Sequence, residues 1–132
     1  MFVKEGEKLA KKGKIDEAIA KYQKAQQMDS HLDISARQWN TLCRDGSLSG
    51  HAAKVMEYCE KAVTIAPKNR RIRESRALAR ALTGNIQGAI EDFQFVIEES
   101  DDEELKSKVQ GWLDSLQKGK NPFTEEVLKG LR

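Results

Sequence analysis

The clearest pattern in the chain is that of residues 73–100, which read RESRALARALTGNIQGAIEDFQFVIEES. Both sides of Gly84 are rich in Ala, Leu, Arg, Gln and Glu, which lose little rotamer freedom in a helix. Ala89, Phe93 and Val96 follow Gly84 at five, nine and twelve positions, which puts all three on one helical face. Two helices that meet at the glycine are therefore predicted. The small residues allow close approach, and the aromatic ring fills the space between the helices.

Two earlier stretches repeat this pattern, residues 2–30 and residues 39–69. Their glycines, Gly13 and Gly50, align with Gly84 at spacings of 37 and 34 residues. The chain therefore contains three copies of one helix–turn–helix unit. No stretch alternates β-branched and polar residues, so no strand is predicted. The residues that correspond to Ala89, Phe93 and Val96 are Ala18, Tyr22 and Ala25 in the first copy and Val55, Cys59 and Ala62 in the second.

The repeated unit resembles the tetratricopeptide repeat (TPR), a helix–turn–helix of about 34 residues with the spacing W-x₂-L-G…A-x₃-F…P. The resemblance extends over residues 1–100. It implies an all-α fold, a right-handed superhelical solenoid of antiparallel helix pairs with a C-terminal capping helix and a short terminal helix. The matching segments are GKIDEAIAKYQKA in the first copy, Trp39-x₂-Leu42-Cys43 and EKAVTIAP in the second, and ALARALTGNIQGAIEDF in the third.

The resemblance also predicts how the chain is divided. Three repeats are expected at about 1–31, 33–69 and 70–100, a capping helix at 101–118, and a turn with a short helix at 119–132. A solenoid requires such a cap, because its last repeat otherwise exposes an apolar face. The apolar residues of the cap follow helical spacing and are Leu105, Val109, Trp112, Leu113 and Leu116.

A narrower likeness rests on three blocks, LCRDGSLSGHAAKVMEYCEKAV, IRESRALARALTG and KGKNPFTEEVLKGLR. Together they look like the TPR modules at the C-terminal end of large bacterial signalling proteins that carry an NTPase or WD40-type region upstream. This likeness implies that the chain is bacterial and is either a fragment of such a protein or a stand-alone relative.

Helix boundaries follow from caps and breakers. In the second unit, Asp33 or Ser35 is expected to cap the first helix, which should end by Gly46 because the segment RDGSLSG is poor in helix formers. The seventh helix is expected to open with a capping box at Ser100–Glu103, and Thr124 to cap a short last helix. The remaining helices are predicted at about 2–12, 15–28, 51–65, 70–82 and 86–98.

Composition narrows the possible functions. The chain has 132 residues, of which 39% are hydrophobic and 33% charged, which suits one folded domain. Its net charge of +2 is too small to indicate nucleic-acid binding by bulk electrostatics. No apolar run approaches the roughly 18 residues of a membrane span, and the first residues lack the apolar core of a signal peptide. A cytoplasmic protein with no membrane contact is expected.

No enzyme motif survives inspection. The chain lacks a GxxxxGK[ST] phosphate loop, HExxH, CxxC and GxGxxG. The segment Gly46–Gly50 resembles a nucleophile elbow, but Leu48 stands at the central position where that motif requires serine. We therefore expect no catalytic residue, no cofactor and no metal.

Cys43 and Cys59 occupy the inward positions of their helices. Buried free cysteine behaves as a small apolar residue, so we expect both thiols to lie free in the core. A regulatory disulfide or a metal pair is the alternative, although His51 alone would not complete a metal site. Trp39 and Trp112 lie at apolar helical positions, where core packing is expected rather than ligand stacking.

Three arginines, Arg73, Arg76 and Arg80, share one face of a predicted helix. They stand where large apolar residues usually pack, and arginine stems can do so while the guanidinium groups reach carboxylates. We expect structural pairing, with Asp92 as the partner of Arg76. The alternative is a nucleic-acid surface along Arg70–Arg80, which the small net charge and the lack of neighbouring exposed aromatics disfavour.

In a TPR solenoid the first helix of each pair lines a concave groove that binds a peptide or helix of a partner protein. The resemblance therefore implies which side chains face the groove here. Five of these twelve residues are basic and two are acidic, so an acidic or mixed-charge peptide is expected. The residues are Val3, Lys4, Glu7 and Lys11, then Arg37, Asn40, Thr41 and Arg44, then Arg71, Glu74, Ser75 and Leu78.

One TPR subclass binds the C-terminal carboxylates of chaperones through a clamp of lysine, asparagine and arginine. The matching positions here are Val3, Glu7, Thr41, Arg71 and Ser75. Only Arg71 supplies the required charge, and Glu7 would repel a carboxylate. A chaperone-tail receptor is therefore disfavoured.

The sequence thus favours a protein–protein interaction module, an adaptor or scaffold, in monomeric or weakly self-associating form. One alternative is a structural module that self-associates through residues 121–132. Within this segment, Phe123, Val127, Leu128 and Leu131 can also fold back, and folding into the groove would make the module autoinhibited.

Overall fold

Eight α-helices and no strand make up the computed structural model, which describes residues 1–132. The helices are α1 (Phe2–Lys11), α2 (Ile15–Met28), α3 (Ala36–Leu48), α4 (Ala52–Ile65), α5 (Arg70–Leu82), α6 (Ile86–Glu99), α7 (Glu103–Gln117) and α8 (Glu125–Leu131).

Local chemistry accounts for most of the boundaries. Ser35 Oγ accepts from the Gln38 backbone N–H at 3.1 Å while Gln38 Oε1 accepts from the Ser35 N–H at 2.9 Å, a capping box at the start of α3. Asn69, Asn85 and Thr124 cap α5, α6 and α8 through their side chains. The turns after α1, α3, α5 and α7 each contain a glycine with φ between 80° and 91°, a conformation that only glycine adopts cheaply.

The predicted end of α3 at Gly46 is wrong, because the helix continues to Leu48. Gly46 is an interior residue at which α3 meets α4, and a Cβ there would collide with the Val55 side chain. Ser47 is buried, and its hydroxyl donates to the Cys43 carbonyl at 2.7 Å. The glycine therefore permits close helix packing, and Gly50 makes the turn.

The capping box predicted at Ser100–Glu103 is also wrong. Asp102 is the N-cap of α7, and its Oδ1 accepts from the backbone N–H groups of Glu104 and Leu105 at 3.0 and 3.2 Å. Ser100 Oγ instead accepts from the Asp102 N–H at 3.1 Å. The serine thus holds the capping residue in place and does not cap the helix itself.

The cysteine prediction needs correction. Both side chains are buried as expected, but Cys43 and Cys59 are joined by a disulfide, with their Cα atoms 4.8 Å apart. The close approach of α3 and α4 beside Gly46 brings the two residues within the Cα separation that a disulfide spans. Neither sulfur is a free thiol, so the pair cannot supply thiolates to a metal.

Two apolar clusters form the core. The first lies mainly among α1–α4 and reaches Ile72 and Ala79 of α5; in it the Trp39 ring stacks on Tyr58 at 5.4 Å between centroids and meets Tyr22 at 5.6 Å. The second lies mainly among α5–α8, around Trp112 and the fully buried Phe93, and includes Leu48 of α3. Both tryptophans pack in apolar surroundings, as predicted.

The helices stack in two rows of unequal density. Within each successive pair, α1–α2, α3–α4 and α5–α6, the helices pack against each other, and α3 packs on both α1 and α5. No Cα atom of α2 comes within 8 Å of α4, and none of α4 within 8 Å of α6. The row formed by α1, α3 and α5 is therefore the tighter one, which places it on the inside of the curve.

The last two helices depart from this stacking. The α7 helix packs on α6, but none of its Cα atoms lies within 8 Å of α5. It therefore does not continue the inner row. Helix α8 turns back instead and contacts α3.

Candidate peptide-binding groove

The inner row α1–α3–α5 provides a concave face with an open end at α1 and α3. Lys4 and Lys11 are exposed on α1, and Arg37 is exposed on α3. Arg37 Nη1 donates to Glu7 Oε1 at 3.0 Å, where the carboxylate side chain is only 13% exposed. This pair neutralises Glu7, while Lys4 and Lys11 remain as exposed basic side chains of α1.

Two polar side chains lie along α3 beside this surface. Thr41 Oγ1 donates to the Arg37 carbonyl at 3.2 Å, so its hydroxyl is engaged within the helix. Asn40 Oδ1 is buried and accepts no hydrogen bond within the chain. A buried acceptor without a donor is costly, and because the atom is enclosed it adds no acceptor to the exposed face.

The other end of the face is covered. Ser75 and Leu78 of α5 are 3% and 5% exposed, although they were predicted to line an open groove. Together with Arg44 and Glu74, they surround a small cavity closed by side chains from α6, α7 and the C-terminal segment. Of the four predicted α5 residues, Arg71 alone is exposed.

The cover is residues 119–132, which we term the C-terminal segment. Phe123 packs against Phe93 at 6.0 Å and Trp112 at 5.1 Å between ring centroids, and Leu128 is 6% exposed. Asn121 Nδ2 donates to the Ala81 carbonyl at 3.2 Å, at the end of α5. The segment thus fills the gap between α5 and α7.

Arginines fasten the far end of the segment to α3. Arg44 Nη2 donates to the Leu131 carbonyl at 3.0 Å. Arg132 donates through Nε and Nη2 to the Leu48 carbonyl at 3.0 and 2.8 Å, and through Nη2 to Glu125 at 2.8 Å. Sequence reasoning identified the apolar residues that fold back but missed both arginine contacts, because neither follows from spacing along the chain.

Two carboxyl groups near the covered end have raised pKa values. Burial raises the pKa of the Glu74 carboxyl above its usual value, and Arg44, Lys108 and Arg71 act in the opposite direction. Burial likewise raises the pKa of the Asp45 carboxyl, with Arg44 and Lys11 opposing.

The arginine cluster of α5 is a structural feature. Arg76 binds Asp92 through Nε and Nη2 at 2.9 and 2.8 Å, while Arg73 and Arg80 contact the same carboxylate at 2.7 and 3.2 Å. Asp92 is fully buried, and its hydrogen bond raises the pKa of Arg76. The predicted Arg76–Asp92 pair is confirmed, and three arginines of the suggested nucleic-acid surface are turned inward.

A solved structure with a similar fold is the NMR structure of the first TPR domain of the human RPAP3 protein. The match covers 89% of this chain and 93% of that chain, with a TM-score of 0.64 and 23% sequence identity. The chain has the fold of a TPR domain. The predicted all-α fold class is thereby confirmed. No protein-family model and no curated protein sequence matches the chain.

The structure contains neither a cluster of metal-binding side chains nor a membrane-spanning helix. No cluster of three or more His, Cys, Asp and Glu side chains is placed to share a metal ion. None of the eight helices has the length and apolar character needed to cross a bilayer.

Proposed function

We propose that the chain is a protein–protein interaction module that binds an acidic or mixed-charge peptide of a partner protein along the open end of its concave face. The observation that carries this proposal is the basic surface there. Lys4 and Lys11 of α1 and Arg71 at the start of α5 are exposed and form no salt bridge, whereas Glu7 of α1 is paired with Arg37. Such a surface attracts and orients an acidic ligand.

In this proposal the repeats at about 1–31, 33–69 and 70–100 and the cap at 101–118 form a single module without a catalytic site or cofactor.

Two parts of the proposal rest on sequence alone. A cytoplasmic setting is suggested by the lack of an apolar run and of a signal-peptide core, and a place in a larger bacterial signalling protein by the three matching blocks. A chaperone carboxylate remains a poor candidate, since Glu7 stands at a clamp position and already holds Arg37. Nucleic acid is a poor candidate because Arg73, Arg76 and Arg80 converge on Asp92.

The test is affinity capture from a lysate of the source organism. The bait is the wild-type chain or a triple reversal, Lys4→Glu, Lys11→Glu and Arg71→Glu. Lys24→Glu, Lys61→Glu and Lys118→Glu form the matched control, because these lysines are also exposed and lie off the inner row. Both triple variants change the net charge equally.

We expect a partner that is retained by the wild type and the control and lost by the groove reversal. Its binding should weaken with rising salt, since exposed charges are screened. Equal capture by all three baits would contradict the proposal.

A further inference from the structure

The gap between α5 and α7 is the feature of the inner row that the repeat pattern does not account for. Because α7 leans on α6 and leaves α5, the apolar surface of Leu78 and Phe93 would face solvent if the C-terminal segment were removed. The segment covers this surface with Phe123 and Leu131, and Leu128 is buried beside it against Leu82 and the α3–α4 turn. A preformed apolar site thus lies beneath residues 119–132.

The segment carries its own helix-start signals. Thr124 Oγ1 accepts from the Val127 N–H at 3.3 Å, Phe123 precedes the cap, and Leu128 is the fourth helical residue, the arrangement of a hydrophobic staple. Helix α8 nevertheless has only 7 residues, and a helix this short is unstable alone in water. Its conformation therefore depends on the surface that receives it.

Few side chains of the bound segment contact this surface, so most positions of a helix that binds there can vary. Arg44 holds the Leu131 carbonyl, a main-chain group at the negative end of the α8 dipole that any helix of this length presents. The side chains of Phe123 and Leu131 line the small cavity with Leu78 and Phe93, and Leu128 is buried nearby against the α3–α4 turn and Leu82. The outward residues of α8, among them Glu126 and Lys129, are exposed.

We propose that this covered end of the concave face is a binding site for a short amphipathic helix of a partner protein and that residues 119–132 are its intramolecular occupant. The fitting helix has an aromatic residue just before its N-cap and leucines five and eight positions later, and its last turn meets Arg44. This inference rests on the proposed function and adds a second ligand class and its regulation to it.

Because residues 119–132 are covalently linked to the site that they occupy, they can regulate the binding of a partner helix there. A segment linked to its own site competes at an effective concentration in the millimolar range, so an external helix binds only when the segment is released or when its affinity is higher. Release requires the opening of one peripheral element and leaves α1–α6 folded.

The experiment is a titration of the full chain with a fluorescein-labelled synthetic peptide of residues 118–132, followed by anisotropy. Leu128→Glu in the protein places a charge in the buried site and frees it. Gly130→Glu is the matched control, because it adds the same charge to the same helix at an exposed position with open space around it. We expect Leu128→Glu to bind the peptide at least 10-fold more tightly than the wild type and Gly130→Glu, and Arg44→Ala to reverse the gain.

Equal peptide binding by Leu128→Glu and the wild type would overturn the proposal. A wild-type dimer in sedimentation that Leu128→Glu dissociates would also overturn it, because the occupant would then be the segment of a second copy.

If Leu128→Glu does not fold, hydrogen exchange of the backbone amides in the wild type tests the proposal instead. We expect the α8 amides to exchange at least 100-fold faster than those of α6, through local opening. Equal protection of α8 and α6 would overturn the proposal, since the segment would open only with the whole domain.

The failures of the two proposals are distinguishable. The charge reversals of the capture experiment lie at exposed positions of α1 and at the start of α5, and the peptide titration reports on the covered end. Loss of the peptide result alone leaves the open groove intact, and loss of the capture result alone removes the ground on which the helix site was inferred to serve a partner.

Discussion

Asp92 is the residue on which most charge converges. Its carboxylate is fully buried and receives Arg73, Arg76 and Arg80, whose side chains are 12–19% exposed. Without the carboxylate, three largely buried guanidinium groups would lie close together, and the only other acid paired with them is Glu60, which contacts Arg76 and Arg80 and is 47% exposed.

We expect Asp92→Asn to lower the free energy of unfolding by about 3–5 kcal/mol, the usual cost of breaking a buried ion pair from one side. Urea denaturation measures this change. Glu91→Gln, at the exposed neighbouring position, should cost less than about 0.5 kcal/mol. A similar small loss for both variants would show that the arginines do not depend on Asp92.

The disulfide gives a second prediction at this scale. Cys43 and Cys59 are 16 residues apart, and closing a loop of this size is expected to contribute roughly 3 kcal/mol. Reductant should therefore lower the urea midpoint of the wild type. The double variant Cys43→Ala and Cys59→Ala should show no response to reductant, and an unchanged wild-type midpoint would contradict the prediction.

Glu74 gives a prediction of pH dependence. Since burial raises its pKa in the folded state, the folded chain holds the proton more tightly than the unfolded chain. The Glu74 contribution to stability is therefore fully present below the unfolded pKa and is lost as the pH rises through the raised one. Glu74→Gln should raise the melting temperature at pH 7 and change it little at pH 4. Glu98→Gln, which is exposed, should do neither; an equal shift at both pH values would contradict the assignment.

At the scale of the elements, α7 is the helix whose role is most open to test. Trp112 lies on it between Phe93 and Phe123 and remains partly exposed. Trp112→Ala should cost about 3 kcal/mol in the free energy of unfolding, the lower end for a tryptophan truncation. A loss below about 1 kcal/mol would show that α7 does not cap the core.

Helix positions were predictable from the sequence because caps and glycine turns act locally. Gly13, Gly50 and Gly84 mark the turns in both the pattern and the structure. The end of α3 was not predictable, because Gly46 is selected by its contact with Val55 on another helix. The disulfide was missed for the same reason, since it depends on how closely α3 approaches α4.

The candidate site was predicted only in part. Repeat position correctly indicates which helices form the inner row, and Lys4, Lys11 and Arg71 are exposed there. It fails for Val3, which is buried in the first apolar cluster, and for Ser75 and Leu78, whose exposure depends on where α7 and the C-terminal segment pack. The placement of α7 and of the C-terminal segment departs from the repeat pattern, so the periodicity of residues 1–100 cannot predict it.

At the scale of the whole molecule, the two ends of the concave face differ. The end at α1 and α3 is open and basic, whereas the end at α5 and α7 is apolar and filled by residues 119–132. The row α2–α4–α6 is the loosely packed outer side. The central claim is that ligands bind the inner row.

Nuclear magnetic resonance tests this claim most directly. The ¹⁵N-labelled chain would be titrated with the tightest-binding peptide that the wild type selects from a random peptide library. We predict an acidic peptide, with chemical-shift changes concentrated on α1 and α3 and on the first turn of α5, and with none of comparable size on α2 or α4. Changes concentrated on α2, α4 and α6 would contradict the account.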